Sequence, residues 1–204
     1  MTYDQISTQE GVELVRLART SVETFIKSKK LISVEKHSNK KAGVFVTLYY
    51  INRRSNKRNL RGCIGYIFPS QNIYQSVISA AINAATEDPR FIAINEKELD
   101  DVIFEVSVLT KPSLIRVRDT DESLSKIVIG RDGLMLESRY GSGLLLPQVP
   151  VEQKWNTREY LTNLCHKSGA PSDVWLLPDS RLYSFYSLIF REKLPNREVY
   201  AEKT

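Results

Sequence analysis

Only two cysteines, Cys63 and Cys165, occur in this chain of 204 residues. They do not make a disulfide framework, and so few thiols fit a reducing compartment, with the cytoplasm as the expected location. Histidine is as scarce, with His37 and His166 alone. Two of each, with no short Cys–Cys or His–His spacing, argue against a zinc site, and no metal is expected. No apolar run approaches the ~18–20 residues that a membrane-spanning helix needs. The start, Met1-Thr2-Tyr3-Asp4-Gln5, has neither the basic opening nor the hydrophobic stretch of a secretory signal, so no membrane is expected as a partner. No internal repeat or low-complexity tract stands out, and no glycine loop of the phosphate-binding kind opens a helix. Gly141-Ser142-Gly143 reads as a turn between strands, which is not the strand-to-helix setting that a dinucleotide site requires.

What is present is the composition of an ordinary globular protein, 42% apolar and 26% charged, which excludes wholesale disorder. A chain of this length can bury a sizeable core as one large domain or two small ones. Its net charge of +5 is unevenly spread: from Lys27 to Arg61 eleven basic residues stand against Glu35 alone, so the remainder is net acidic. Such a block marks either a nucleic-acid or membrane surface, or a solvated helix end and charged hairpin loop. Aromatic residues are not interleaved with the charges inside the loop, which weakens a single-strand-binding reading.

Ser7-Thr8-Gln9-Glu10 has the form of a capping box, followed by Leu14, Val15, Ala18, Val22, Phe25 and Ile26 at helical spacing. The run Val44 to Tyr50 is β-branched and aromatic. A polar loop of residues 52–59 and a second strand, Arg61 to Phe68, complete a hairpin. After Pro69, Ser70 is expected to cap a helix whose stripe runs from Ile73 to Ala85 and which Pro89 stops. Val102 to Thr110 alternates as a strand. Beyond Pro112 come a short helix near Leu124, the strand Leu134-Met135-Leu136, Leu144-Leu145-Leu146-Pro147, a helix from Thr157 to Lys167 closed by Gly169 and Pro171, and a strand from Leu182 to Arg191. Helices and strands do not alternate regularly, which predicts an antiparallel α+β fold over a doubly wound parallel one. The Pro-flanked region 113–178 reads as a smaller lobe inserted into a larger one of about 1–112 plus 179–204.

Chemistry concentrates in Leu60-Arg61-Gly62-Cys63-Ile64-Gly65. On a regular strand Gly62, Ile64 and Tyr66 share one face, and Arg61, Cys63, Gly65 and Ile67 the other. Glycine inside a strand marks a bulge or the close approach of a ligand or another backbone. One reading is a thiol with an open neighbour at Gly65 and a cation at Arg61 to favour the thiolate, as a nucleophilic cysteine requires. The other is a small structural cysteine in a tight hairpin.

The hexapeptide resembles the signature of the AMMECR domain family. Ala84-Ala85 before Asp88-Pro89-Arg90-Phe91, Glu105-Val106-Ser107-Val108-Leu109-Thr110, Gly130 with Asp132-Gly133-Leu134, Leu145-Leu146-Pro147-Gln148-Val149, Trp155, and Cys165 with Lys167-Ser168-Gly169 agree in the same order. The resemblance spans nearly the whole chain. It departs at Ile92-Ala93, where the family often has prolines, and at Asp132, where some relatives carry histidine. It implies a single domain of two lobes joined by two connections, the larger holding both termini, each with an antiparallel sheet and flanking helices, and a cleft between them faced by the hexapeptide. It carries no firmly established activity. Association of relatives with Memo-type proteins and radical-SAM enzymes implies a multi-protein modification pathway, which is not itself a mechanism.

The candidate catalytic set is therefore Cys63, Arg61 and Glu105, with Leu60, Gly62, Ile64, Gly65, Asp88 and Arg90 as candidate substrate-binding residues. Glu105 is expected to pair with Arg61 or Arg90, or to act as an acid or base. Cys165 falls on an apolar helical stripe and reads as core, while His166 points ~100° away from it. Three functions remain open. The first is an enzyme or enzyme subunit acting on a large substrate through Cys63, the second a non-catalytic adaptor gripping a protein segment, and the third nucleic-acid binding through Lys27 to Arg61. The sequence names no cofactor.

Overall fold

Ser7 begins the first helix as its pattern predicts: Ser7 Oγ accepts from the Glu10 N–H at 3.2 Å and caps α1 (Thr8–Ser28). Glu10 does not close the box. Its carboxylate binds Lys40 Nζ at 2.7 and 2.8 Å instead. The computed structural model describes residues 6–34, 40–52, 55, 57–68, 71–115 and 124–202. Within them the hairpin forms as β1 (Gly43–Asn52) and β2 (Lys57–Tyr66), followed by α2 (Ile73–Thr86) and β3 (Val102–Leu109). The cap of α2 is Asn72, whose Oδ1 accepts from the Gln75 N–H at 3.0 Å. Ser70, expected in that role, lies outside the described residues, and Asn72 stands directly before the first helical residue.

The chain divides into two units, one of the residues up to Leu109 and from Leu188 on, the other of Thr110–Ser187. In the first, β2, β1, β3, β8 (Ser187–Glu192) and β9 (Val199–Glu202) form a five-stranded sheet in that order, with antiparallel pairing wherever a register is defined. Val44, Val46 and Leu48 of β1, with Phe104, Val106 and Val108 of β3, pack with α1 and α2 into one core. Burying such side chains contributes about 1.5–3 kcal/mol each. An ion pair lies within this packing. Arg19 of α1, 4% exposed, donates to Glu192 of β8 at 2.7 and 2.6 Å and to the Val102 carbonyl at 2.6 Å. It ties the first helix to a strand 173 residues away.

The second unit holds β4 (Ser113–Leu114), β5 (Gly133–Ser138), β6 (Gly141–Leu145) and β7 (Arg181–Phe185) in the order β4-β7-β5-β6, all antiparallel. Helices α3 (Gln148–Glu152) and α4 (Thr157–Lys167) follow β6. Tyr160, Leu161, Leu164 and Cys165 of α4 pack with Leu134, Leu136 and Leu182 into a separate core. Two expectations are corrected here. The strand from Leu182 to Arg191 breaks at Tyr186, whose N–H donates to Thr110 Oγ1, so β7 and β8 join different sheets. The glycines of Gly141-Ser142-Gly143 lie in β6, and the turn is at 139–140. Among the described residues no helix is long and apolar enough to cross a membrane.

Candidate functional site

β2 is the outermost strand of its sheet, and the register of the hairpin sets Thr47 opposite Cys63. Thr47 Oγ1 donates to Cys63 Sγ at 3.3 Å. The Cys63 backbone turns the other way, to the sheet edge. Its N–H donates to Asp88 Oδ2 at 2.8 Å, and its carbonyl accepts from Arg90 Nη2 at 3.4 Å. Asp88 and Arg90 grip each other at 2.9 and 2.7 Å, and the Arg90 N–H adds a third bond to Asp88 Oδ1 at 3.1 Å. The pair thus stands where a neighbouring strand would stand, a donor and an acceptor closing one rung of an open edge. The Asp88 side chain is 2% exposed, and chiefly the Arg90 guanidinium holds its carboxyl down to about 2 against its burial.

Neither glycine opens space at the thiol. A Cβ on Gly62 would lie 2.0 Å from the Ala84 carbonyl oxygen, so this residue lets α2 press backbone to backbone on β2. A Cβ on Gly65 would meet the Val44 carbonyl oxygen at 2.3 Å and the Phe45 ring at 2.4 Å. The neighbour position expected to be open is therefore filled by an aromatic ring of the adjacent strand. Burial pushes the Cys63 thiol up from its ordinary value. The Thr47 hydrogen bond and the Arg90 charge oppose that shift without reversing it. This thiol is protonated at neutral pH, the reverse of an activated one.

Arg61 does not act on Cys63 as expected. The pairing passes from Leu48 opposite Gly62 to Tyr49 opposite Leu60, so Arg61 is the extra residue of a bulge. It donates to Glu98 at 2.8 and 3.2 Å and lies 5.9 Å from the Phe91 ring centre. Burial works against the Glu98 carboxylate, but Arg61 and the Asn95 N–H prevail and lower it. Glu105, fully buried on β3, pairs with Arg191 of β8 and not with Arg61 or Arg90. Arg191 also binds Glu202 at 2.6 Å. Leu60 is 38% exposed, and Ile64 packs against the core on the helix side. The structure therefore groups Cys63, Asp88 and Arg90, sets Glu105 across Thr47 from Cys63 where its charge acts on the thiol although its ion pair is with Arg191, and sends Arg61 to Glu98. Sequence reasoning missed Thr47, Glu98 and Arg191. Thr47 was legible as the one polar residue in the apolar run Val44–Leu48, and Asn95-Glu96-Lys97-Glu98 as a capping box. Nothing in the sequence pointed to Arg191.

Other candidates lie elsewhere. Cys165 is buried in the second core, and His166 is exposed with Nε2 2.8 Å from Ser172 Oγ. His37 lies outside the described residues. Asp132 accepts from the Val128 N–H at 2.8 Å and binds Arg131, holding a turn. Among the described residues no group of histidine, cysteine and carboxylate side chains could hold a metal ion. Of the basic block, Lys27, Lys29, Lys30, Lys57 and Arg58 are exposed, whereas Lys40 and Arg61 are engaged by Glu10 and Glu98.

Two antiparallel sheets with α1 and α2 on the larger, and a bulged edge strand locked by an Asp–Arg pair, define an α+β protein of two units. The chain belongs to the AMMECR1 family, whose model matches residues 15–190. It is 43% identical over 200 residues to the protein MJ0810 of Methanocaldococcus jannaschii, covering 97% of this chain and 98% of that one. It is 44% identical over 199 residues to the protein PH0010 of Pyrococcus horikoshii, covering 96% of each. The crystal structure of PH0010, described as an uncharacterized protein, superposes with a TM-score of 0.90 at 42% identity, covering 98% of this chain and 99% of that one.

Proposed function

We propose that the chain is a non-catalytic protein-binding module in which Cys63 serves the fold. One observation carries this reading: every polar group of Cys63 is engaged within the unit, the N–H by Asp88, the carbonyl by Arg90 and the sulfur by Thr47. A nucleophile needs a base beside it and a depressed pKa. Here the sulfur accepts from the Thr47 hydroxyl, and burial moves the thiol upward. Asp88, which binds the Cys63 N–H, is held at about 2 chiefly by Arg90, far below the range of a base working at neutral pH, and Glu105 is tied to Arg191. Two free thiols suit a reducing cytoplasm. Memo-type and radical-SAM proteins, associated with relatives of this family, are the first partners to test.

Alkylation of the full chain tests the reading. With iodoacetamide and mass mapping of the adducts, Cys63 should react more slowly than free cysteine at pH 7 and gain rate only at more alkaline pH than free cysteine does. A Cys63 that outpaces free cysteine at pH 7 revives the thiol enzyme and ends the binding reading.

A further inference from the structure

Away from Cys63, the first unit carries a groove of about 570 Å³ between α2 and the extended segment after α1. That volume is typical of ligand sites, ~300–1,000 Å³. One wall is α2, with Gln75, Ser79 and Asn83 at successive turns and the buried Ile78 and Ile82 flooring the groove beside them; the other wall includes Leu31 and Val34. Among the described residues that line it, none is charged. Asn83 is held in place by donating from Nδ2 to the Tyr66 hydroxyl at 2.9 Å. The side chains of Gln75 and Ser79 have no hydrogen-bond partner among the described residues.

The spacing selects the occupant. Side chains four apart on a helix rise ~6 Å per step. In an extended chain, peptide groups on one side recur every ~6.6 Å. A carboxamide offers a donor and an acceptor together, as a peptide group does. A row of amide, hydroxyl and amide at this interval can therefore read the backbone of a strand-like segment over three repeats, whereas a compact ligand would meet only one or two of the three. Charge gives the second requirement. Lys27, Lys29 and Lys30, all exposed, close α1 immediately before Leu31, so one end of the groove adjoins a cationic rim.

We propose that this groove docks an extended acidic peptide segment of a partner protein. Gln75, Ser79 and Asn83 hydrogen-bond its backbone, Ile78 and Ile82 seat its aliphatic side chains, and Lys30 faces its carboxylates. This rests on the protein-binding reading and names its site.

Panning a phage-displayed random dodecapeptide library on the full chain, then measuring the enriched peptides by fluorescence polarisation, tests it. Enriched peptides should combine Asp or Glu with Val, Ile or Leu. Gln75→Ala, an exposed change that leaves folding intact, should weaken them about fivefold, as loss of one neutral hydrogen bond does. Ser79→Arg should fill the groove and abolish binding, and Lys30→Glu should weaken binding at low salt. Lack of enrichment, or a groove that takes adenosine monophosphate or laurate in place of peptide, overturns the proposal. Enriched peptides indifferent to both Gln75→Ala and Ser79→Arg also overturn it. In that case the protein-binding reading stands, since that reading falls on rapid alkylation of Cys63.

Discussion

Asp88 is the residue on which the edge of β2 depends. Its carboxylate accepts from the Cys63 N–H and three sites of Arg90, with its side chain 2% exposed. Its value in the fold, about 2, lies below the ~3.9 of an unfolded aspartate. A depressed carboxylate favours the folded state above the unfolded value, and loses that contribution as pH falls through the folded one. The window is therefore pH 4 down to 2, and the contribution at neutral pH is about 2 kcal/mol. Urea denaturation of Asp88→Asn should show a loss of that order at pH 7, with the gap to the natural protein closing as pH approaches 2. A gap that stays constant from pH 7 to 2 would show that the Arg90 pairing does not stabilise the fold. The same residue scale explains why Cys63 misled sequence reasoning: a cysteine between glycines beside an arginine looks activated until the bulge removes Arg61 and Phe45 fills the space over Gly65.

At the scale of elements, glycine serves helix–sheet contact in both units. Gly62 takes the Ala84 carbonyl against β2, and a Cβ on Gly143 of β6 would lie 2.8 Å from the Ser168 backbone nitrogen at the end of α4. Close approach at Gly62 also sets the end of α2 where Asp88 can reach Cys63. Gly62→Ala must push α2 outward and should cost about 3 kcal/mol, the upper range of overpacking, together with the Asp88 contact. Gly169→Ala is the comparison. Its Cβ meets nothing within 4 Å, and only its φ of +74° resists, at about 1–2 kcal/mol. Equal losses of melting temperature in the two variants would show that helix–sheet contact at Gly62 is not the constraint. The elements themselves were largely legible. The helix Thr157–Lys167 forms over the span its periodicity marks, capped by Asn156 and Glu159, because cap and stripe lie within one local segment. The long last strand was misread because apolar alternation continues through Tyr186 while the pairing partner changes.

At the scale of the molecule, Thr110–Ser187 is a continuous insertion with its own sheet and core. Its ends are fastened together: the Thr110 N–H donates to the Tyr186 carbonyl at 2.9 Å, and the Tyr186 N–H returns to Thr110 Oγ1 at 2.9 Å. Closed ends and a separate core are what an autonomously folding unit needs. Residues 110–187 expressed alone should therefore unfold cooperatively in urea, though with low stability for so small a core. A chain that shows no cooperative transition would make the second core dependent on the first.

What the amino-acid order determined alone is the local and the periodic: the helical stripes, the span of Thr157–Lys167, the hairpin, the antiparallel α+β class, and Cys165 as core. Those signals sit within a few residues of the structure they specify. What only the tertiary structure decided are the pairings across long separations: Asp88 with Cys63 over 25 residues, Arg191 with Glu105 over 86, and Arg19 with Glu192 over 173. The charge of a side chain is visible in its letter, but its partner depends on strand order, register and a single bulge, and these are settled only when the sheet closes.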